Sequence, residues 1–371
     1  MKIINFDHNA TTPILPQALE ALGAAYVDCG NSTSLHKIGR HSAMRVEKAR
    51  ETLCNAFNAK NYEAFFTSGG SESNNMALLS DDFEKIFISK IEHSSVYNVR
   101  PRGVEIVEIA TDENGIINLQ DLQEKITGAK KFLVSLMIAN NESGAIQPIK
   151  KAAQIVHQNG GLIHSDIIQG VGKMAIDLED LNIDFATISA HKFGGPYGVG
   201  ALFVRRGIEV RPLIFGGGQE RSKRSGTLNV PAIAGLEAAI KFLPHRIAAI
   251  SKTLGLRDFI ESELKKIAGE NIMFFSQNTA RLANTSFFAI RDFDNQTQLI
   301  NFDLNGIAIS NGSACSSGTL QKSRFLQAVG AKKEFMRATR ISLGPENTKL
   351  EAEKFIAVFK DFYLKNLKNL I

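Results

Sequence analysis

Two charged residues stand directly after short apolar runs, where strands would end, and together they suggest one kind of chemistry. Asp166 closes "GLIHSD", and Lys192 follows "FATISA". A lysine amine forms a Schiff base with an aldehyde, and a carboxylate can keep a pyridine nitrogen protonated. Pyridoxal 5'-phosphate requires both groups, so it is the predicted cofactor. Taken singly, Asp166 could equally be a helix N-cap and Lys192 a solvated charge.

A bound phosphate needs hydrogen-bond donors, and the sequence offers several. Gly70 and Ser71 lie in "TSGGSESNN", at the predicted start of a helix whose free N–H groups favour an anion. By itself this glycine-rich turn is a weak signal. The other candidate phosphate donors are Ser189, His191 and Thr227.

Two further residues are candidates for contact with the cofactor ring or the substrate. His93 follows "KIFISK" and is placed to lie over a planar ring, although a lone histidine is more often a capping residue. Arg340 stands in "ATRISLGP" before a short apolar run. It is either half of a surface ion pair or a bidentate clamp on a substrate carboxylate.

One cysteine stands out because its neighbours have almost no bulk. Cys315 lies in "SNGSACSSGT", where little can bury a thiol and the chain is free to move. Cys54 borders the apolar face of a predicted helix, and Cys29 precedes a glycine at a helix end. Both are interpreted as structural. Three widely spaced cysteines predict neither a disulfide framework nor a zinc site, so no resident metal is expected.

These residues depend on an alternation of strands and helices between about 61 and 206. Apolar runs such as "KIFIS" and "KFLVSLMIA" alternate with helical patterns such as "IKKAAQIVHQNGG". The pattern predicts an α/β fold with a mostly parallel sheet and helices on both faces. Ligands of such sheets bind beyond the carboxyl ends of the strands. We predict a large domain over 1–250 and a smaller α+β domain over 251–371, against which the N-terminal arm can pack.

Composition excludes several functional classes. The chain has 371 residues with a formal net charge of +5 and no block of like charges, which predicts no direct nucleic-acid binding. No apolar stretch reaches eighteen residues, and the first residues contain Asp7 and His8 where a signal peptide would be apolar. We therefore expect no membrane association and a cytoplasmic location.

The motifs occur together, in order, along essentially the whole chain, and they resemble one family. The chain resembles the NifS/IscS-like cysteine desulfurases of the class V aminotransferase superfamily. The motifs that carry the resemblance are "FDHNATTP", "GNSTSLHKIGR", "SGGSESNN", "EHSSV", "NNESGAIQPI", "HSDIIQGVGK", "SAHKFGGPYGVGALFVR", "GGGQERSKRSGTLN", "SNGSACSSG" and "RISLG". The resemblance implies the pyridoxal phosphate fold type I, with a seven-stranded central sheet, and a homodimer with its sites near the subunit interface.

The resemblance also implies a role for each matching residue. Lys192 would hold the cofactor as a Schiff base and act as the general base at the substrate Cα, and Cys315 would be the nucleophile. Asp166 would pair with the pyridine nitrogen, and His93 would stack on the ring and carry protons. The remaining implied contacts are Gln169 to the phenolic oxygen, Gly70, Ser71, Ser189 and His191 to the phosphate, Thr227 to the phosphate of a second subunit, and Asn141 with Arg340 to the substrate carboxylate.

The implied reaction removes sulfur from L-cysteine, giving L-alanine and a persulfide on Cys315. The implied acceptors are an iron–sulfur scaffold protein or a tRNA-thiolation protein, and Cys315 could serve as a transient cluster ligand through such a partner. Alternatives are a selenocysteine lyase, another class V lyase or transaminase, and a weakly active docking protein in sulfur relay. Ile167 and Tyr197 depart from the family pattern, which usually has alanine and lysine there. Strand alternation predicts that Ile167 faces packed protein.

Overall fold

The central element of the fold is a seven-stranded sheet in which the strand order is β2-β8-β7-β6-β5-β3-β4. A computed structural model describes residues 3–28, 30–311 and 323–367. Only β8 runs antiparallel to its neighbours in this sheet. The strands are β2 (Tyr62–Thr67), β3 (Lys85–Ser89), β4 (Glu105–Ile109), β5 (Phe132–Ser135), β6 (Leu162–Asp166), β7 (Phe185–Ser189) and β8 (Gly200–Arg205). The predicted mostly parallel α/β fold is therefore confirmed.

Both faces of this sheet are buried, which explains the nearly continuous apolar strands. Successive residues point to opposite faces, so Phe65 joins one hydrophobic cluster and Phe66 joins another. Leu133 and Val134 divide in the same way. The helices of this part are α1 (Pro16–Val27), α2 (Lys37–Ala56), α3 (Gly70–Leu78), α4 (Ser94–Tyr97), α5 (Leu119–Ile126), α6 (Ile149–Gln158), α7 (Leu178–Leu181), α8 (Val230–Lys241) and α9 (Leu243–Ser251).

The C-terminal part contains a second, three-stranded antiparallel sheet in the order β12-β10-β9. Its phenylalanine-rich core is separate from the clusters of the large sheet. The strands are β9 (Ile272–Phe274), β10 (Thr285–Ile290) and β12 (Ala338–Ser342), and the helices are α10 (Thr253–Ala268), α11 (Asn295–Leu304), α12 (Arg324–Ala328) and α13 (Lys349–Leu367). The domain boundary near residue 250 stays a prediction.

The N-terminal segment packs on this C-terminal part. Strand β1 (Ile4–Asn5) pairs in parallel with β11 (Ile307–Ala308). Three residues further on, the main chain of His8 donates a hydrogen bond to the carbonyl of Ser342 in β12. These pairings carry the residues that follow, Asn9 and Ala10, to the carboxyl ends of the large sheet.

Two kinds of feature are absent from the described part of the chain. None of its helices is long and apolar enough to cross a membrane. Within the same residues, no cluster of three or more histidine, cysteine, aspartate or glutamate side chains could hold a metal ion.

Candidate active site

A cavity of about 260 Å³ lies at the carboxyl ends of β6 and β7. It brings together most of the residues that the sequence predicted for the cofactor and the substrate. The lining residues are Gly70, Ser71, His93, Ser95, Met137, Ala139, Asn141, Asp166, Ile168, Gln169, Ser189, His191 and Lys192. This position agrees with the general location of ligands in parallel sheets.

Asp166 ends β6 and is buried in the cavity wall. Its carboxylate accepts hydrogen bonds from Asn74 Nδ2 at 2.9 Å and from the main-chain N–H of Ile168 at 3.0 Å. Both donors are neutral, so they orient the carboxylate without neutralising its charge. Ile167 is fully buried in the main core, whereas Ile168 lines the cavity beside Asp166.

Lys192 lies in a short 3-10 turn, Ala190–Lys192, directly after β7. Its amine donates to the carbonyl oxygens of Asn9 and Ala10, both at 2.8 Å. Burial lowers the pKa of Lys192 to about 8, and Arg340 acts in the same direction, while Asp166 opposes it. A lysine with this pKa is partly a neutral amine near pH 8, as a nucleophile or general base requires.

The N-terminus of α3 forms one side of the cavity. Gly69 has a φ of +151°, a conformation that favours glycine, and it precedes the first free N–H groups of the helix. A Cβ on Gly70 would come within 2.3 Å of Ile168 Cδ1, so a larger residue would displace the cavity wall. With Ser71 and Ser189 alongside, this end of the cavity is suited to a phosphate group.

His93 caps α4 and also lines the cavity. Its Nδ1 accepts a hydrogen bond from the main-chain N–H of Ser95 at 3.2 Å, so a neutral ring carries its proton on Nε2. Although the ring is open to the cavity, desolvation by the surrounding protein lowers the pKa of His93, and Asp166 partly opposes that shift. His93 can therefore cap α4 and contact a ligand in the cavity at the same time.

His191 lies beside Lys192 on the phosphate side of the cavity. Its Nδ1 is 3.2 Å from Thr11 Oγ1, and its ring stacks on Tyr197 with centroids 5.4 Å apart. Burial, together with nearby Lys192, lowers the pKa of His191 to about 4. At neutral pH the ring is therefore uncharged and acts through its hydrogen bonds.

Asn141 lines the cavity, and Arg340 lies against the main chain of Asn141. Arg340 Nη1 donates to the carbonyl oxygen of Asn141 at 2.9 Å, and Nη2 forms an ion pair with Asp7 at 2.5 Å. Arg340 is part of β12, not a residue before a strand, and it is almost fully buried. Its Nε has no partner within the described residues. A buried donor without an acceptor is suited to an anionic ligand.

Three predicted site residues are not among those that line the cavity. Arg340 contacts the main chain of Asn141, which does line it. Thr227 is exposed and lies outside the cavity of its own chain. Cys315 lies outside the described residues.

Sequence reasoning missed the residues that hold the predicted ones in place. Asn74 orients Asp166, Ser95 orients His93, and Asn9 and Ala10 supply the acceptors of Lys192. A signal was present for Asn9 and Ala10, because both belong to the motif "FDHNATTP". Their contribution comes mainly from main-chain carbonyls, which residue type does not reveal.

A lysine and an aspartate at the carboxyl end of a mostly parallel sheet, beside a helix N-terminus, define an α/β enzyme of the pyridoxal phosphate-dependent kind. The aminotransferase class-V family matches residues 4–355, and the chain belongs to this family. The resemblance inferred from the motifs is thereby confirmed.

Relatives and solved structures agree with this assignment over nearly the full chain. The cysteine desulfurase IscS of Methanosarcina thermophila is 35% identical, and the match covers 100% of this chain and 94% of that protein. The X-ray structure of a NifS-like protein from Rickettsia africae has a TM-score of 0.90 and 36% identity, covering 97% of this chain and 99% of that one. A structure of SspA in complex with cysteine has a TM-score of 0.79 and 29% identity, covering 93% of this chain and 100% of that one.

The residues around the cavity fit pyridoxal phosphate, the cofactor of this family. The carboxylate of Asp166 is held by neutral donors only, so its charge is available to a protonated ring nitrogen. The amine of Lys192 and the N-terminus of α3 both border the cavity, as an aldehyde and a phosphate on one molecule would require. The phosphate end of the cavity is open because residue 70 is a glycine, since a Cβ there would collide with Ile168.

Proposed function

We propose that the protein is a cysteine desulfurase, which removes sulfur from L-cysteine and releases L-alanine. The observation that carries this proposal is the cavity, where Lys192, Asp166 and the start of α3 meet beside Asn141. The full-length similarity to cysteine desulfurases supports the choice of substrate. The cysteine complex of the similar SspA structure supports it as well.

Each residue of the cavity has a chemical task in this reaction. When bound, pyridoxal phosphate supplies an aldehyde for the substrate amine and a ring that accepts electrons from the substrate Cα. Lys192 holds the cofactor and then moves the proton of the substrate Cα, which its lowered pKa favours. Asp166 keeps the proton on the ring nitrogen.

The remaining side chains bind and orient. Gln169 would donate to the phenolic oxygen of the bound cofactor, and His93 would border its ring and transfer a proton through Nε2. Asn141 and Arg340 hold the substrate carboxylate. The phosphate is bound by Gly70, Ser71, Ser189 and His191.

Cys315 accepts the sulfur. Its thiolate attacks the substrate sulfur, the carbon–sulfur bond breaks, and a sulfur–sulfur bond forms on the enzyme. The electron pair of the broken bond stays with the carbon fragment, which takes up a proton and leaves as alanine. Cysteine and one enzyme thiol are thus converted into alanine and one enzyme persulfide.

Both described ends of the segment that contains Cys315 are anchored at the substrate side. Before it, the main chain of Ser310 exchanges two hydrogen bonds with that of Arg340. After it, Ser323 Oγ donates to the buried carboxyl group of Glu142 at 2.6 Å, next to Asn141. These anchors support the delivery of the thiol to the same side of the cavity as the substrate carboxylate.

The active form in this proposal is a homodimer. Large apolar side chains are exposed on α1, on α2 and the segment leading into it, and in the loop before the "RSGT" motif. Such exposure is typical of a surface that a partner covers. Thr227, exposed in its own chain, then reaches the phosphate of the second subunit. The exposed apolar residues are Tyr26, Val27, Leu35, Ile38, Met44 and Phe215.

The persulfide is passed to a protein acceptor in this proposal. An iron–sulfur scaffold protein and a tRNA-thiolation protein suit the same chemistry, since both receive sulfur from a persulfide. A cytoplasmic location stays a prediction from the sequence.

One experiment tests the function directly. The purified protein is loaded with pyridoxal phosphate and incubated with L-cysteine, alanine is quantified, and persulfide is mapped by mass spectrometry. We expect alanine, with a mass increase of one sulfur on Cys315, and no persulfide in a Cys315→Ala variant. Absence of alanine would contradict the proposal, and persulfide on Cys54 instead would reassign the nucleophile.

The same assay with selenocysteine separates the main alternative. A selenocysteine lyase releases alanine from selenocysteine and none from cysteine. Production of alanine from cysteine with persulfide on Cys315 excludes that alternative.

A further inference from the structure

Lys173 is a buried lysine to which neither the predicted mechanism nor the family motifs assign a task. It lies in the turn after β6, four residues beyond Gln169, and its side chain is about 5% exposed. Its amine donates to Gln169 Oε1 at 2.5 Å and to Asn9 Oδ1 at 2.6 Å. Both partners are neutral amide oxygens, and no carboxylate of the described residues forms an ion pair with it.

A lysine that is buried without a charged partner lowers the stability of the fold, so its presence requires another explanation. Burial, with Lys192, Arg246 and Arg340 nearby, holds the pKa of Lys173 well below its ordinary value. A leucine or methionine would fill the same space without this cost. The two hydrogen bonds are therefore what lysine provides at this position and leucine or methionine would not.

Those hydrogen bonds fix the orientation of two amides. As an ammonium, Lys173 can act only as a donor at these contacts. As a neutral amine, it still has two N–H groups for the two acceptors. If the amide of Gln169 were flipped, its NH₂ group would face the donors of Lys173. The oxygen of Gln169 therefore points to Lys173, and its Nε2 donates to the carbonyl of Asn9 at 3.0 Å.

The amide of Asn9 is fixed in the same manner. Its oxygen faces Lys173, so its Nδ2 donates to Thr285 Oγ1 at 2.9 Å and toward the carbonyl of Asn141 at 3.3 Å. The main-chain carbonyl of Asn9 also accepts from Lys192. Lys173 is thus one hydrogen bond away from the predicted cofactor contact, Gln169. Through Asn9, it is two hydrogen bonds away from both Lys192 and Asn141.

We propose that Lys173 is a positioning residue that holds the amides of Gln169 and Asn9 so that Gln169 presents an N–H donor to the cofactor. This rests on the proposed function only in that pyridoxal phosphate occupies the cavity. Without Lys173, the amide of Gln169 keeps only its hydrogen bond to the carbonyl of Asn9. Its orientation is then less strongly fixed, and an oxygen acceptor replaces the donor at the phenolic oxygen part of the time.

The test is a double-mutant cycle read by the bound cofactor. Wild type, Lys173→Met, Gln169→Leu and the double variant are loaded with pyridoxal phosphate. The visible absorption maximum, its pH titration and the dissociation constant of the cofactor are measured for each. We expect Lys173→Met to shift the absorption band in the same direction as Gln169→Leu. Cofactor affinity should fall about five-fold, as for the loss of one hydrogen bond.

The decisive result is whether the two effects add. Because Lys173 acts through Gln169, the double variant should differ little from Gln169→Leu alone. An unchanged band and affinity in Lys173→Met, or fully additive effects, would overturn the proposal, since a merely structural lysine lowers thermal stability without moving the spectrum. If Lys173→Met does not fold, Lys173→Gln, which keeps one donor, provides the same comparison.

A matched control separates local from general effects. Lys125 also donates to a side chain four residues earlier, Asp121, and to a carbonyl, but it does not line the cavity. Lys125→Met should leave the absorption band unchanged. A wild type that binds the cofactor but makes no alanine would defeat only the desulfurase function, whereas a wild type that binds no pyridoxal phosphate would defeat both.

Discussion

At the scale of single residues, the carboxyl group of Glu92 shows how strongly this site is desolvated. It lies next to His93 and is buried. Its Oε1 accepts from Ser89 Oγ at 2.6 Å and from the main chain of Met137 at 2.9 Å, while its Oε2 has no partner within the described residues. Burial raises the pKa of Glu92 to about 8, and nearby Asp166 acts in the same direction. Glu92 is therefore protonated at neutral pH.

This pKa predicts a pH dependence of stability with a definite sign. The unfolded chain releases the proton above about pH 4.5, whereas the folded protein keeps it to about 8, so wild type loses stability as pH rises between these values. Glu92→Gln imitates the protonated form and lacks this loss. Urea unfolding at pH 5, 6.5 and 8 should show a stability advantage of the variant over wild type that grows by at most about 1.4 kcal/mol per pH unit. A difference that is constant with pH would contradict the raised pKa.

The amine of Lys192 gives a second pH prediction, in the rate of cofactor loading. Only the neutral amine reacts with an aldehyde, so the association rate of pyridoxal phosphate with the apoprotein should rise with a midpoint near pH 8. Stopped-flow absorbance measures this rate. Arg340→Gln removes a nearby positive charge and should move the midpoint upward. A wild-type midpoint near 10 would mean that burial does not perturb this lysine.

At the scale of secondary-structure elements, α12 begins at a residue with two tasks. Ser323 caps the helix by accepting from the main chain of Leu326 at 3.2 Å, and it donates to Glu142. The hydrogen bond to Glu142 matters because this carboxyl group is buried, which raises its pKa and leaves it with few polar partners. The start of this short helix is thereby connected to the turn that carries Asn141.

Replacement of Ser323 should therefore lower the free energy of unfolding by more than the loss of an ordinary helix cap does. Ser323→Ala loses the cap and leaves Glu142 without its donor, so the free energy of unfolding should fall by about 2 kcal/mol. Asp294→Ala is the matched control, because Asp294 caps α11 without a buried partner and should cost about 1 kcal/mol. In a Glu142→Leu background the effect of Ser323→Ala should shrink. Equal losses in both backgrounds would mean that the two side chains are not coupled.

The elements also explain how much could be predicted from sequence. Strands β3, β5, β6 and β7 are short apolar runs between helical patterns, so the parallel sheet and the positions of Asp166 and Lys192 at its edge were accessible. Strand β12 could not be predicted, because "ATRIS" contains a charged residue. Arg340 is buried in this strand beside Asp7, an ion-pair partner more than 300 positions away in sequence. The contacts of Lys192 were inaccessible for the same reason: its partners are carbonyls of the N-terminal segment.

At the scale of the whole molecule, the proposed homodimer makes each cavity depend on two chains. Lys192 lies in the cavity of its own chain, whereas Thr227 is exposed on the surface. The loop that carries Thr227 is joined to exposed Phe215 through the hydrogen bond from the main chain of Ser225 to that of Ile214. A partner that covers this surface would receive Thr227.

Complementation between two inactive chains tests this arrangement. Lys192→Ala and Thr227→Val chains are unfolded, mixed and refolded with pyridoxal phosphate, and alanine formation is measured. In a mixed dimer, the cavity with an intact Lys192 receives an intact Thr227 from the other chain, so activity should rise well above that of either variant alone. No increase, with mixed dimers present by native mass spectrometry, would place Thr227 in its own chain's site. A chain carrying both substitutions, mixed with Lys192→Ala, is the negative control.

The pairing of β1 with β11 has a consequence for how the protein is made. The segment that supplies the carbonyl partners of Lys192 leaves the ribosome before its own partners, Ile307 and Ser342, which are synthesised some 300 residues later. Contacts this distant in sequence form slowly, because a long loop must close first. The N-terminal strand therefore waits through most of translation, and the nascent chain cannot complete the surroundings of Lys192 until its C-terminal part has emerged.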